Sequence, residues 1–417
     1  MRKHALLMLP ALLAVLPALA QAEPGLPDTE AVRAALDAHP SVQAADARVD
    51  AARAEAGALR RGTQEFNLYT SYMSRTVDRE GRYNEFDAQL TRPVRLPGKG
   101  RLDRQIGDLG IEAAHNMAED ARHQAALVLA QEWWDWLGAT EEAKVDRQAV
   151  SNLEATLKAV QRRVALRDAA QLEADQAAAA LGTAKVAAAQ SEGRAQLARV
   201  RLATHFATLP LPVEAPEVPR PEMPDESLES YGARMFVRSH EIAAAEAELH
   251  KREVMAERVR RDRLADPSVG VRLFSERGGM EKGAGVIFSM PIGGGHRTAL
   301  AEQADAQANA ARADALAARM AVQETASGDI AEVRFRYESW QRARDALDAQ
   351  VAALVKLRRG QAAGEIDLSD VLFGERQVQD AFRAEAMART EAMRMLTRIR
   401  IDSHELWIGD AEDAAKQ

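Results

Sequence analysis

Cysteine is absent from the 417-residue chain, and aromatic residues make up only 5% of it. The first absence excludes disulfide staples, thiolate metal sites and a lipid anchor carried on cysteine. The second argues against a compact globule, because a core of that size ordinarily buries many large side chains. Beyond the N-terminus no apolar run is long enough to cross a bilayer as a helix. A basic excess is missing too: the net charge of -8 gives no positive face for nucleic acid. What is abundant is alanine among Glu, Arg and Gln, a composition that suits long helices packed closely side by side.

The N-terminus carries an export pattern. Met1-Arg2-Lys3 is a positive start, Ala5 to Leu19 is an apolar run, and Ala20-Gln21-Ala22 is a small-residue cleavage pattern. A membrane anchor is the competing reading, but the run falls short of the ~20 residues that a spanning helix needs. Residues 1–22 are therefore expected to be a cleaved signal peptide, and the mature chain to work outside the inner membrane.

The mature chain reads twice. Ser41 to Val49 aligns with Glu241 to Leu249, and Arg92-Pro93-Val94 with Met290-Pro291-Ile292. Arg101 after Gly98-Lys99-Gly100 matches Arg297 after Gly294-Gly295-His296. Ala170 to Glu173 meets Ile366 to Ser369. The same elements recur in order at a nearly constant offset, the signature of an internal repeat. Between the halves lies a connector with prolines at 210, 212, 216, 219, 221 and 224, too proline-dense for a helix. The expected organisation is a repeat over 23–208, the connector over 209–224, a second repeat over 225–409 and a tail over 410–417.

Each repeat has the same layout. A helical segment comes first, Asp28 to Arg61 or Ser227 to Arg263. Two alternating runs follow and read as β-hairpins. In the first, Phe66, Leu68, Thr70 and Tyr72 fall on one face, and Phe86 to Val94 is the partner. In the second, Val269 to Ser275 pairs with Gly283 to Met290 across Glu276-Arg277-Gly278-Gly279. A Pro/Gly break comes next, then a proline-free helical pattern from Gly100 to about Arg167, or from Arg297 to Arg359. At 1.5 Å per residue the first would span on the order of 100 Å. Each then turns near Asp168 or Gly364 and returns as a shorter helix.

Strands of ~9–11 residues are the length that a tilted membrane-crossing β-strand requires. Four strands cannot close a barrel, and open sheet edges do not occur in lipid, so closure would come from further copies. Three copies would give twelve strands; the count alone permits other multiples. A soluble hairpin lying over a helix bundle is the alternative.

Three stretches together resemble the TolC-type outer-membrane efflux factor family. They are Arg92 to Arg101 after the first hairpin, Ser289 to Arg297 after the second, and Gly360 to Leu372 at the second distal turn. The resemblance covers essentially the whole mature chain. It implies a mainly α fold with membrane β: a homotrimer whose 12-stranded β-barrel continues into a 12-helix α-barrel. It further implies a non-enzymatic efflux duct in the outer membrane with a long periplasmic tunnel. A periplasmic adaptor protein would dock at the tunnel's closed end, joined in turn to an inner-membrane pump. In the family, acidic residues after the second distal turn ring the constriction, and Asp370 falls on one such position. The next expected acid is Phe373 here, and the expected tyrosine is Gln361, so apolar contacts would help to hold this aperture shut. Arg359, Gly360, Gly364 and Asp168 are the candidates for the tip turns and adaptor docking. Pro93, Gly98, Gly100, Pro291, Gly294 and Gly295 are the candidate strand-to-helix corners. The Arg95-Leu96-Pro97-Gly98-Lys99 stretch is similar to the heavy-metal cation efflux branch.

Other motifs carry less. Pro97-Gly98-Lys99-Gly100 lacks the upstream glycine and the Ser/Thr of a phosphate loop, so a corner is the better reading. Trp133 and Trp136 share a helical face, which suits packing rather than a ligand. His115 and His123 lie two turns apart, too far for one metal without partners. No metal, cofactor or catalytic grouping is expected. A drug-export or type I secretion outlet would read almost alike, and a periplasmic coiled-coil adaptor or scaffold is the non-channel alternative.

Overall fold

The computed structural model of the protein describes residues 24–408. The expected signal peptide and the tail over 410–417 lie outside the described residues. Helices α1 (Thr29–Asp37) and α2 (Pro40–Arg61) lead into strands β1 (Asn67–Val77) and β2 (Gly81–Pro93). The long α3 (Lys99–Ala165) and the returning α4 (Gln171–His205) follow. The order then recurs: α5 (Leu228–Val237), α6 (His240–Arg261), β3 (Ser268–Glu276), β4 (Glu281–Ser289), α7 (Gly295–Ala362) and α8 (Leu368–Asp402).

The chain is mainly helical, with one small antiparallel sheet. Helices α3 and α7 have 67 and 68 residues, so each runs ~100 Å at 1.5 Å per residue. Neither contains a proline, and buried alanines such as Ala125, Ala126, Ala304 and Ala308 let neighbouring helices approach closely. Helix α3 lies against α2, α4, α6 and α8, while α7 lies against α8, α6 and α5.

One expectation is corrected. Each repeat's first helical segment is two helices, not one. In the first half the break falls before Pro40, whose ring disfavours helical geometry in the residue ahead of it. In the second it falls at Ser239, whose hydroxyl accepts from the amide of Ile242 at 3.2 Å and starts a new helix. The strands also run further than expected. Polar pairs hold the extension: Arg75 meets Glu85 at 2.6 Å, and Arg82 donates to Ser74 at 2.6 Å.

The main core forms a belt part-way along α3. Trp133, Trp134, Leu129 and Leu137 meet Val32 and Leu36 of α1, Leu202 of α4 and Ile401 of α8. The proline-rich connector closes over it through Leu209 and Val218. All three clustered tryptophans are packing residues. Trp133 donates to the Gly25 carbonyl at 2.7 Å, and Trp134 donates to Thr397 Oγ1 at 3.0 Å. A second cluster sets Leu228, Tyr231 and Met235 of α5 against Val333 of α7 and Ile399 of α8.

Candidate functional site

Register gives the sheet its character. Leu68, Leu90, Val271 and Val286 stand opposite one another across the four strands, and so do Thr70, Ala88, Leu273 and Ala284. Opposed residues share a face, so one side of the sheet presents an apolar band. Tyr72 and Phe86 continue it at one end, Val269 and Phe288 at the other. Same-face rows lie ~7 Å apart along a strand, so four rows cover ~20 Å. The band is bare: Leu68 is 70% exposed and Val286 is 90% exposed.

The reverse face is polar at its centre. Arg75 pairs with Glu85, and Asp87 accepts from both Arg272 and Gln89. The sheet order is β1-β2-β3-β4, so β1 and β4 are both edges.

The two strand-to-helix corners differ sharply. At the first, Pro93 ends β2 and Gly98 caps α3 with a φ of +90°. A Cβ at Gly98 would stand 2.3 Å from the Arg261 guanidinium. Below it the side chain of Lys99, only 2% exposed, is surrounded by acceptors. Its Nζ lies 2.8 Å from Asp262 Oδ1, Asp266 Oδ1 and the Leu264 carbonyl, which uses all three ammonium donors. Asp103 joins Arg95 at 3.1 Å and Arg258 at 2.6 Å. Burial pushes the Asp262 carboxyl up, but hydrogen bonds from Arg258 and Lys99 outweigh it and hold it below the usual carboxylate range. Gly100 packs beside the Arg95 side chain.

At the second corner, Pro291 follows β4 and Gly294 caps α7. A Cβ at Gly293, Gly294 or Gly295 would meet no atom within 4 Å. Ile292 is 99% exposed.

The distal turns share one geometry. After α3, Arg167 adopts a φ of +62°, and the Asp168 amide bonds back to the Arg163 carbonyl at 2.8 Å. After α7, Gly364 adopts a φ of +78°, and the Glu365 amide bonds back to the Gly360 carbonyl at 2.9 Å. Both are left-handed C-terminal caps of the same kind. Asp168 is exposed and its carboxylate accepts from Arg163 at 3.0 Å. Gly360 is needed for space, since a Cβ there would stand 2.5 Å from Ile366. Arg359 is exposed in the last turn of α7. Asp370 lies in the first turn of α8 and is exposed, and Phe373 is 64% exposed.

The distal candidates thus gather at one end of the helices and the corner candidates at the other. Sequence reasoning missed the partners of Lys99. Asp262 and Asp266 lie more than 160 positions away, and no local pattern marks them.

No protein-family model matches the sequence, and no curated protein matches it. Solved structures do. A membrane protein from Pseudomonas aeruginosa is 17% identical with a TM-score of 0.77, covering 91% of each chain. The outer membrane protein VceC from Vibrio cholerae is 16% identical at 0.71, over 90% of this chain and 95% of that one. The Campylobacter jejuni CmeC outer membrane channel is 15% identical at 0.69, over 93% and 88%. The chain shares their fold. The resemblance carried by Arg92 to Arg101, Ser289 to Arg297 and Gly360 to Leu372 is therefore borne out at the level of fold. The matches cover 90% or more of this chain and 88% or more of each of those chains.

Proposed function

We propose that this chain is the outer-membrane channel of a tripartite efflux system, a passive exit duct rather than an enzyme. One observation carries the reading: a four-stranded sheet with a bare apolar band on one face, a polar reverse face and two open edges, set on helices of membrane-exceeding length. An apolar band facing outward and polar groups facing inward is the pattern of a barrel wall in lipid. Lipid tolerates no open edge, so β1 of one copy pairs with β4 of the next. Three copies close a 12-stranded barrel, and four long or returning helices per copy continue it as a 12-helix tunnel. Exposed apolar residues along those helices, such as Leu197, Leu316, Met320 and Phe335, then meet neighbouring copies.

In that assembly Asp370 and Phe373 narrow the far end, and Arg359, Gly360, Gly364 and Asp168 form the surface for a periplasmic adaptor that links to an inner-membrane pump. Two halves with the same element order support a duplicated unit over 23–208 and 225–409. They also disfavour a periplasmic adaptor or scaffold, which would carry one helical hairpin. The cargo follows the pump: metal cations on the similarity of Arg95 to Lys99, with a drug or a secreted protein as the alternatives.

The test is fractionation followed by electrical recording. The protein should extract from the outer membrane only with detergent and migrate as a heat-modifiable oligomer. In planar bilayers it should give cation-preferring channels, because carboxylates ringing a narrow pore attract cations. Asp370→Ala should raise conductance and weaken that preference. Release as a soluble monomer overturns the channel, and unchanged conductance with unchanged selectivity overturns the role of Asp370.

A further inference from the structure

Away from the corners and the tip, α3, α7, α8 and the α5–α6 junction meet around a cavity of about 210 Å³. Its surroundings are unusually rich in titratable groups. Asp402 ends α8 and Asp329 lies on α7, 5% and 4% exposed. His123 of α3 places Nε2 at 2.7 Å from Asp402 Oδ1. Arg398, half-buried, places one nitrogen 3.2 Å from each aspartate. The second oxygen of Asp329, Oδ2, is buried and receives no donor.

Two nearly buried carboxylates share one guanidinium. While His123 is neutral, Arg398 is their shared cation, and both cannot be ionised without leaving a buried charge uncompensated. A proton on Asp329 removes that charge and makes its carboxyl a donor toward Asp402. Asp402 then stays ionised, held by His123 and Arg398.

Beside the pair runs a row of rings. His123 and His404 lie 5.4 Å apart between centroids, and His404 and His240 lie 4.9 Å apart. His404 is 3% exposed, its backbone is left-handed at φ +60°, and its Nδ1 has no partner. Asp120 of α3, Arg238 and Glu241 at the α5–α6 junction, and Glu332 of α7 complete the charged surroundings. Among the described residues no three His, Asp or Glu donors converge as a metal site requires.

We propose that Asp329, Asp402 and His123 form a proton-holding latch that ties α7 and the end of α8 to α3, closed while one proton sits between the two aspartates and loosened when it leaves. The latch is a property of the fold and does not depend on the channel reading.

The direction with pH follows from the pair and from His404. Burial, then the hydrogen bond and the charge of Asp402, push Asp329 up to about 8. Its contribution is full below the ordinary carboxylate value and is lost as pH rises through about 8. Burial, then His123, His240 and Arg238, push His404 down to about 3. Its contribution is full above ~6.5 and falls with acidification toward 3. The two slopes oppose each other in mild acid, so the alkaline limb is the one that shows.

The test is hydrogen exchange of the detergent-solubilised full chain at pH 6 and pH 8.5, corrected for intrinsic rates. Protection over 395–404 should fall on the order of tenfold at pH 8.5, net of the His404 effect, while the middle of α4 stays level. Asp329→Asn, which imitates the protonated side chain, should abolish the fall. An unchanged protection ratio in the unmodified protein overturns the latch, even if the variant fails to fold. A fall of equal size in Asp329→Asn overturns it as well.

Discussion

The two corners where a strand becomes a long helix use related sequence and arrive at opposite surroundings. At the first, Lys99 is buried among Asp262, Asp266 and a carbonyl, and Arg261 stands over Gly98. At the second, three glycines and Ile292 touch almost nothing. The difference is one of place in the sheet. Strand β2 is paired on both sides, so its corner sits against the α6–β3 segment that passes beside it. Strand β4 is an edge, and among the described residues no further segment lies against its corner. A repeated unit thus gains an internal brace where the fold supplies a neighbour. Where the fold supplies none, it presents a bare corner, which the proposed barrel would fill with another copy.

The sharpest way to break this contrast is to remove Lys99. Lys99→Met leaves Asp262 and Asp266 without their shared cation. The expected loss is about 3 kcal/mol, at the low end for breaking a buried pair because both acids are partly exposed. Thermal unfolding in detergent measures it, and a loss under 1 kcal/mol would make the brace ornamental. Paired glycine substitutions come next. Gly98→Ala meets both a left-handed backbone and the Arg261 guanidinium, and should cost about 1–2 kcal/mol. Gly294→Ala should stay within about 0.5 kcal/mol in the monomeric chain. A larger cost that appears only in the assembled protein would place a neighbour at that corner.

The smallest effects belong to the distal turns, where the first half carries Arg167 and the second Gly364 in the same left-handed position. Gly364→Ala should cost about 1 kcal/mol, and Arg167→Gly should be neutral or gain a few tenths. Urea unfolding separates the two signs, and equal costs would contradict the shared cap geometry.

Much of this was legible in the sequence. Sixty-odd residues without proline announced α3 and α7, and the alternation of Phe66, Leu68, Thr70 and Tyr72 gave the apolar face of β1 correctly. Both signals are local and periodic, which is why they survive without tertiary context. The breaks at His39 and Ser239 are hard to read because a helix-forming pattern runs up to each and an alanine-rich one follows it. The partners of Lys99, and the meeting of His123 with Asp402, depend on contacts between residues 160 to 280 positions apart. Side chains like these look like ordinary solvated charges until the fold brings them together.

The central claim is closure of the sheet by other copies. The chain has no cysteine, so engineered pairs report cleanly. Within one chain β1 and β4 are separated by two intervening strands, ~14 Å apart, well beyond disulfide reach. A cysteine at Leu68 should be combined in turn with one at Ala284, Val286 or Phe288 and oxidised in the native membrane. At least one pairing should give a species of three linked chains on a non-reducing gel. Only single chains at every pairing would contradict the account.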